Sequence, residues 1–270
     1  MKRVENVTIG SDPEMFIISE STGKVISSVG MIPGYKGDPW LDEEWLKPGM
    51  IGYGLETDNI LAEFNIPPVT KKEDFIKAHE YMKGYIRGFV KKINPDYNIL
   101  CAASMLVDED QLQSDQAKEF GCSEDFCAYT EDVNPKPEGT KTNLRSSGFH
   151  IHCGYEDPDI STSVTLIKYL DQYLGLPSVV VDQDSRRRSL YGKAGCFRLT
   201  SYGCEYRVLS SAMYSNPVRL GVVWDCITRA IRAYNDGVEL ISPDLVQEAI
   251  NTSNSKMAEE LIEKYNLLIY

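Results

Sequence analysis

The chain has 270 residues, 42% hydrophobic and 25% charged, so it can bury the core of one large domain, and no clear boundary divides it. Its 28 basic and 40 acidic residues give a formal charge of −12, which argues against binding to nucleic-acid phosphates. No apolar run approaches the roughly 20 residues that a membrane span requires. The N-terminus lacks a signal-peptide pattern, and seven scattered cysteines fit reduced thiols, so we expect a cytoplasmic protein.

Hydrophobic periodicity predicts strands that meet in hairpins, interrupted by helices. The predicted strands cover residues 7–18, 24–29, 53–56, 60–66, 97–105, 149–155, 197–200 and 205–209, and the helices cover 73–92, 163–174, 217–235 and 243–265. Turns are predicted at residues 57–59 and 201–203, and Pro67-Pro68 is expected to end a strand. This order indicates an α+β fold, an antiparallel sheet with flanking helices. Loops 30–54 and 107–147 have no assigned structure and are expected to form the substrate pocket.

Four predicted strands place reactive side chains on one face and apolar side chains on the other, because residues i and i+2 of a strand share a face. The pairs are Asp12 with Glu14, Glu63 with Asn65, His150 with His152, and Glu205 with Arg207, and the neighbouring strand adds Arg198 and Thr200. An ordinary solvated sheet face mixes Thr, Lys, Ser and Glu. These pairs contain no lysine, which favours a functional face.

Carboxylates joined by an imidazole suit Mg²⁺ or Mn²⁺ better than zinc. Mg²⁺ usually shares its coordination shell with water and substrate phosphates, and nearby arginines can clamp a phosphate group. The face therefore predicts a nucleoside triphosphate held through metal ions. A basic segment supports this prediction: Arg187, Arg188 and Lys193 form either an exposed turn or a phosphate grip, and their concentration in an acidic chain favours the grip. By contrast, His79 lies on the apolar face of a predicted helix and is expected to be a core residue.

At these residues the chain resembles the carboxylate–amine ligases of the glutamine synthetase superfamily, in particular the COOH–NH2 ligases, or amidoligases, of phage and bacterial gene clusters. The matching segments are residues 10–16, 62–68, 147–152 and 204–207, in the same order as in glutamine synthetases. The resemblance implies a curved antiparallel sheet like the glutamine synthetase catalytic domain. It also implies one catalytic domain over residues 1–270, with core motifs in 7–210 and a helical part in 216–270.

The resemblance also implies roles for individual residues. Glu14 and Glu63 would bind one Mg²⁺ or Mn²⁺ ion together with a further carboxylate, for which Asp58 and Glu56 are alternatives. A second ion would be held by Asp12, His150 and Glu205, with Asp12 standing where glutamine synthetases carry glutamate. Arg198 and Arg207 would contact the phosphates of ATP, and His152 would lie beside the substrate.

The implied reaction joins a carboxylate and an amine, drawn from small molecules or peptides, through an acyl phosphate made from ATP. The alternatives are a phosphotransferase like the guanidino kinases, a metallohydrolase, and a non-catalytic nucleotide- or metal-binding relative. The resemblance implies a bacterial cell or a phage-infected host. The substrates, the general base and the oligomeric state stay open.

Overall fold

The computed structural model describes residues 2–118, 125–135 and 142–267. Its strands are β1 (Thr8–Ser19), β2 (Val25–Ile26), β3 (Gly54–Asp58), β4 (Leu61–Val69), β5 (Tyr97–Leu100), β6 (Ser104–Leu106), β7 (Phe126–Cys127), β8 (Leu144–Ser146), β9 (Phe149–Gly154), β10 (Cys196–Thr200) and β11 (Gly203–Tyr206). Among the described residues, nine strands form one sheet along the path β3-β4-β1-β9-β11-β10-β7, with β2 and β5 also paired to β1. Strands β6 and β8 form a separate pair, and every pairing is antiparallel.

Helices flank this sheet. They are α1 (Lys72–Ile93), α2 (Asp115–Lys118), α3 (Ile160–Leu170), α4 (Leu176–Val181), α5 (Ser185–Leu190), α6 (Pro217–Asn235), α7 (Pro243–Asn251) and α8 (Ser255–Lys264). The prediction of a mixed fold with a large antiparallel sheet and flanking helices is thus confirmed, whereas the likeness to glutamine synthetase stays a prediction. None of the described helices combines the length and the apolarity that crossing a membrane requires.

The apolar face of the sheet packs against α1, which repeats its large apolar residues at helical spacing, and α6 packs on α1. Phe75 of α1 is fully buried, and its ring lies 6.5 Å from Phe149 of β9 and 5.5 Å from Trp224 of α6. His79 lies in the same layer, where Nε2 is 2.8 Å from Ser11 Oγ and Nδ1 is 2.7 Å from the Phe75 carbonyl oxygen. Burial lowers the pKa of His79 to about 3. The prediction of a core histidine is confirmed.

Two features of the β3–β4 hairpin differ from the prediction. Strand β4 does not end at Pro67-Pro68 but runs on to Val69. The prolines are accommodated by a bulge, where the pairing with β1 shifts from Ser11↔Ile66 to Ile9↔Val69. The turn also begins two residues later than the predicted Thr57, at Asn59, whose φ of 58° reverses the chain. Asp58 therefore lies inside β3.

The predicted helices near residues 163 and 243 are also corrected. The first begins earlier, because Asp159 caps α3 by accepting a hydrogen bond from the Thr162 amide at 2.8 Å, and it continues through a π-helical segment into α4. The second is broken into α7 and α8. Ser253 has a φ of 51°, which a right-handed helix cannot contain, and Asn254 then caps α8.

The two loops without predicted structure contain short helices and strands. Loop 30–54 contains a 3₁₀ turn at Glu43–Leu46, and loop 107–147 contains a 3₁₀ turn at Glu109–Leu112 together with α2, β7 and β8. The predicted strand over residues 97–105 divides into β5 and β6, because these two segments pair in different sheets. Parts of loop 107–147, namely residues 119–124 and 136–141, lie outside the described residues.

Candidate active site

Strand register aligns the reactive side chains on the face of the sheet opposite α1. Glu56, Glu63 and Glu14 are direct neighbours across β3, β4 and β1. Two residues along β1, Asp12 lies opposite His150 of β9. On the other side of β9, His152 lies opposite Glu205 of β11, and Glu205 lies opposite Arg198 of β10. The fold thus brings side chains from six strands onto one continuous polar face.

The first carboxylate group consists of Glu14, Asp58 and Glu63, each of which offers an oxygen within 4.8 Å of the other two. Of the two alternatives from the sequence, the structure places Asp58 in this group. Glu63 is 5% exposed, and its Oε2 atom has no hydrogen-bond partner among the described residues. Burial raises the pKa of Glu63 well above its usual value, and repulsion from Asp12, Asp58 and Glu14 adds to the effect. None of the three side chains in the group can carry a positive charge.

The second group consists of Asp12, His152 and Glu205, again with ligand atoms within 4.8 Å of one another. His150 lies beside the group, and its Nδ1 is 3.3 Å from Asp12 Oδ1 and 3.5 Å from Glu205 Oε1. The structure therefore brings His152 into the predicted ligand group and leaves His150 adjacent to it, because the β9–β11 register sets His152 against Glu205. Nε2 of His152 lies 3.1 Å from Asp12 Oδ1, and Nε2 of His150 has no hydrogen-bond partner in the described part of the chain.

Attraction between opposite charges determines the pKa shifts in the second group, whereas burial and repulsion between carboxylates determine that of Glu63 in the first. Burial alone would raise the pKa of Asp12, but attraction to His152 and His150 outweighs it and holds that pKa well below its usual value. Burial likewise disfavours the charged form of His152, and attraction to Asp12 raises the pKa of His152 overall.

Gly148 makes room for this arrangement in the loop before β9. A Cβ atom at this position would lie 2.5 Å from Nε2 of His150, so only glycine allows the imidazole ring to stand there. The Gly148 amide also donates a hydrogen bond to Oε2 of Glu14 at 2.6 Å. One glycine therefore positions a side chain near each group.

Tyr202 is a site residue that the sequence reasoning missed. Its hydroxyl lies 2.6 Å from Nδ1 of His152, and the two rings stack with centroids 5.9 Å apart. When Nδ1–H donates to the phenol oxygen, Nε2 keeps a lone pair that can bind a metal ion. The only sequence signal for Tyr202 is its place in the turn between two reactive strands.

We expect Tyr202→Phe to weaken Mn²⁺ binding by about tenfold, because the ring still stacks but no longer fixes the His152 tautomer. Isothermal titration calorimetry would measure the affinity. Tyr155→Phe is the matched control, since that hydroxyl contacts Ser163 at 2.6 Å and not His152. Equal affinities in the two variants would rule out a positioning role for Tyr202.

Two arginines contact Glu205, and they differ in their exposure to solvent. Arg207 has a side chain that is 1% exposed, contacts Glu205 through Nη1, and places Nε 2.9 Å from the Tyr191 hydroxyl and 3.4 Å from Asp125 Oδ2. Arg198 is 27% exposed, with Nε 3.2 Å from Glu205 Oε2. Arg198 therefore retains surface that a ligand can contact, whereas Arg207 is enclosed and orients Glu205.

The basic segment does not present the exposed arginines that the predicted phosphate grip would require. Arg187 and Arg188 are buried, and Arg187 donates to the carbonyl oxygens of Ser147, Val208 and Leu209 at 2.7–3.2 Å. Arg188 donates to the carbonyl oxygen of Gly192 at 2.7 Å. These contacts favour a structural role for both arginines. Lys193 is exposed in the loop before β10, and its contact with nucleotide stays a prediction.

Lys36, from the loop over residues 30–54, also reaches the site and was not foreseen. Its ammonium group forms an ion pair with the carboxylate of Asp58. Burial alone would lower the pKa of Lys36, but attraction to Asp58 and Glu63 outweighs it and raises that pKa. A single lysine in a Gly/Pro-rich loop carries no periodic pattern that could have placed it here.

The residues of this face fit divalent metal ions. Carboxylate oxygens with an imidazole nitrogen are donors that Mg²⁺ and Mn²⁺ accept. Among the described residues, Glu63 Oε2 and His150 Nε2 are buried without a hydrogen-bond partner, although such atoms are normally satisfied, and Asp12 Oδ1 lies 3.1 Å from His152 Nε2. A cation in the first group would satisfy Glu63 Oε2, and a cation in the second would take Asp12 Oδ1 and His152 Nε2 as ligands.

A sheet face with two such groups and an accessible arginine defines a candidate metal-dependent enzyme acting on phosphates. The chain belongs to the phage phiEco32-like COOH.NH2 ligase-type 2 family, whose model matches residues 125–264. This membership confirms the predicted relationship to the carboxylate–amine ligases. The match includes His150, His152, Arg198, Glu205 and Arg207, whereas the first carboxylate group lies before it.

One solved structure with some similarity is a bifunctional glutathione synthetase from Pasteurella multocida, with a TM-score of 0.38 and 10% sequence identity. The match covers 96% of this chain and 49% of that chain, so this chain spans about half the length of that protein. A likeness this weak carries no argument about fold or activity. No curated protein matches the chain.

Proposed function

We propose that this protein joins a carboxylate to an amine through an acyl phosphate made from ATP, with Mg²⁺ or Mn²⁺ ions on the sheet face. The observation that carries the proposal is the pair of ligand groups, Glu14–Asp58–Glu63 and Asp12–His152–Glu205, side by side on one face, with Oε2 of Glu63 buried and without a hydrogen-bond partner among the described residues. Membership of a ligase family supports the reaction class.

Each group would hold one metal ion, and His150 would support the second. When bound, the ions would neutralise negative charge on the phosphates of ATP. Arg198 is the arginine best placed to contact the transferred phosphoryl group, because its side chain is partly exposed beside Glu205. Arg207 would position Glu205, to which its guanidinium group is paired.

In the first step, a carboxylate oxygen of the acid substrate attacks the γ-phosphorus of ATP, and the bond to the β-phosphate oxygen breaks to release ADP. In the second step, the neutral amine attacks the acyl carbon, the C–O bond to phosphate breaks, and inorganic phosphate leaves. A base must accept the proton that the amine loses. The products are one amide, one ADP and one phosphate for each ATP.

The order of the motifs along the chain supports a placement in the glutamine synthetase superfamily and a single catalytic domain over residues 1–270. Trp224 of the C-terminal helix α6 packs on Phe75 of α1, which lies under the sheet, so the helical part shares the core of the site-bearing part.

The experiment that tests the function measures ADP release from Mg-ATP by the purified protein, with pools of acids and amines. We expect release to require an acid and an amine together, and to stop in Glu14→Gln, which removes a carboxylate of the first group. The amide product would be identified by mass spectrometry.

Two outcomes would contradict the proposal. ADP release with a single substrate and a stable phosphorylated product would indicate a phosphotransferase. Failure to bind Mg-ATP would remove the nucleotide from the mechanism altogether.

A further inference from the structure

The turn that carries Lys36 is fixed to the edge of the sheet by main-chain hydrogen bonds. Tyr35 and Asp38 bond each other through both amides, at 3.3 and 2.8 Å. On either side of the turn, the Thr57 amide donates to the Gly34 carbonyl at 3.3 Å, and the Trp40 amide donates to the Leu55 carbonyl at 2.8 Å. These contacts hold the backbone of residues 34–40 along β3.

Gly34 makes this attachment possible. Its φ is +80°, and a Cβ atom there would lie 2.5 Å from both the Leu55 carbonyl oxygen and the Trp40 nitrogen. The position of the Lys36 backbone is therefore set by the fold, and its side chain extends from the turn towards the first carboxylate group.

The ammonium group of Lys36 stands where the first group would attract a cation. It pairs with Asp58, and the carboxylates of Glu63, Glu14 and Glu56 also act on it. The Lys36 side chain is 36% exposed, whereas Asp58 is 7% exposed, so the lysine enters from the solvent side. A flexible four-carbon stem can leave by the same route without moving the backbone.

One ammonium does not satisfy the group. With all three carboxylates ionised, the charge of Glu14, Asp58, Glu63 and Lys36 is −3 + 1 = −2. Oε2 of Glu63, on a side chain that is 5% exposed, has no hydrogen-bond partner in the described ranges. A divalent cation would supply both the charge and the missing contact.

We infer that Lys36 is a tethered counter-ion that occupies the Glu14–Asp58–Glu63 group in the metal-free protein and is displaced when a divalent cation binds. The inference rests on the proposed function, because it requires a metal site in this group. Lys36 would offset part of the negative charge of the crowded carboxylates between turnovers and would lower the affinity of the site for the metal ion.

The test compares Mn²⁺ affinity in the wild-type protein and in Lys36→Met by isothermal titration calorimetry. We expect Lys36→Met to bind Mn²⁺ at this site at least about tenfold more tightly, because no charge-assisted contact has to be broken first. Lys24→Met is the matched control. Lys24 forms a surface ion pair with Asp108 at 2.6 Å, and its loss removes the same charge away from the site. We expect that control to bind like the wild type, because salt screens exposed charges.

Thermal unfolding gives a second measurement that does not depend on activity. In a chelator, Lys36→Met should melt below the wild type, because three carboxylates lose their counter-ion, and Mn²⁺ should raise its melting temperature by more than it raises that of the wild type.

The failures of the two proposals are distinguishable. Equal Mn²⁺ affinity and equal stabilisation in the wild type and Lys36→Met would overturn the displacement of Lys36 and leave the metal site intact. Absence of Mn²⁺ binding in both proteins would overturn the metal site and the inference together.

Discussion

Replacing Glu63 by glutamine is expected to lower ligase activity by at least about 100-fold while the metal-free protein stays folded. Glu63 belongs to the first carboxylate group and carries an unsatisfied buried oxygen, so it is placed to bind a cation rather than to hold the fold together. An amide oxygen is a much weaker ligand than a carboxylate. Steady-state ADP release and a Mn²⁺ titration would measure the two losses.

Stability should change in the opposite direction to activity. Burial and the neighbouring carboxylates raise the pKa of Glu63, so its carboxyl group destabilises the fold increasingly as the pH rises from the ordinary glutamate pKa towards the raised one, because the unfolded chain ionises there while the folded chain must keep the proton. Glutamine removes this ionisable group. In a chelator at pH 8, Glu63→Gln should therefore melt no lower than the wild type, and a clear drop in melting temperature would point to a structural role instead.

Glu56→Gln is the matched control for this experiment. Glu56 lies directly opposite Glu63 across β3 and β4 and is also buried, with a pKa raised by burial to about 7, but it belongs to neither ligand group. We expect its substitution to leave Mn²⁺ affinity within a few-fold of the wild type, whereas Asp58→Asn should reduce it like Glu63→Gln. The reverse result would assign the third ligand to Glu56.

Arg187→Met is expected to lower the free energy of unfolding by roughly 3 kcal/mol or more, because three buried carbonyl oxygens lose their donor. The side chain is fully buried, and its guanidinium group joins the chain at Ser147 to the segment that follows β11. For a chain of this size, the change corresponds to a fall in melting temperature of roughly 6–12 °C. Denaturant unfolding and calorimetry would measure it.

Arg186→Met is the control for Arg187. Its side chain is 54% exposed and pairs with Asp184 at 3.0 Å, and an exposed pair of this kind contributes little to stability. ATP binding, measured well below the melting temperature, separates the structural role from the predicted phosphate grip. If Arg187→Met kept wild-type stability and lost ATP affinity, the grip would be right and the structural role wrong.

Several features of the site could be predicted from sequence because they are local. Alternation along a strand fixes which side chains share a face, so Asp12 with Glu14 and His150 with His152 were placed correctly without any tertiary information. The apolar position of His79 in α1 likewise predicted a core residue, and the short contacts to Ser11 and Phe75 account for its polar atoms. Proline was less informative, since a bulge carries β4 past Pro67-Pro68.

Other features depended on contacts between segments that are distant in sequence. Asp58 and Glu56 share a face of β3, and only the packing of the hairpin brings Asp58 together with Glu14 and Glu63. His152 enters the second group because β9 and β11 pair in one particular register. Arg187 is buried because the chain after β11 folds over it, which no property of its own segment indicates.

The sequence by itself determined the composition of the reactive face, because strand periodicity is a property of the local backbone. The tertiary structure alone decided how that face divides into two ligand groups and which outside residues reach it. Lys36 and Tyr202 come from a loop and a turn, and their positions follow from main-chain contacts to β3 and from stacking on His152. Strand register, packing and the path of a loop depend on contacts between residues that are distant in sequence, so local patterns in a single sequence do not predict them.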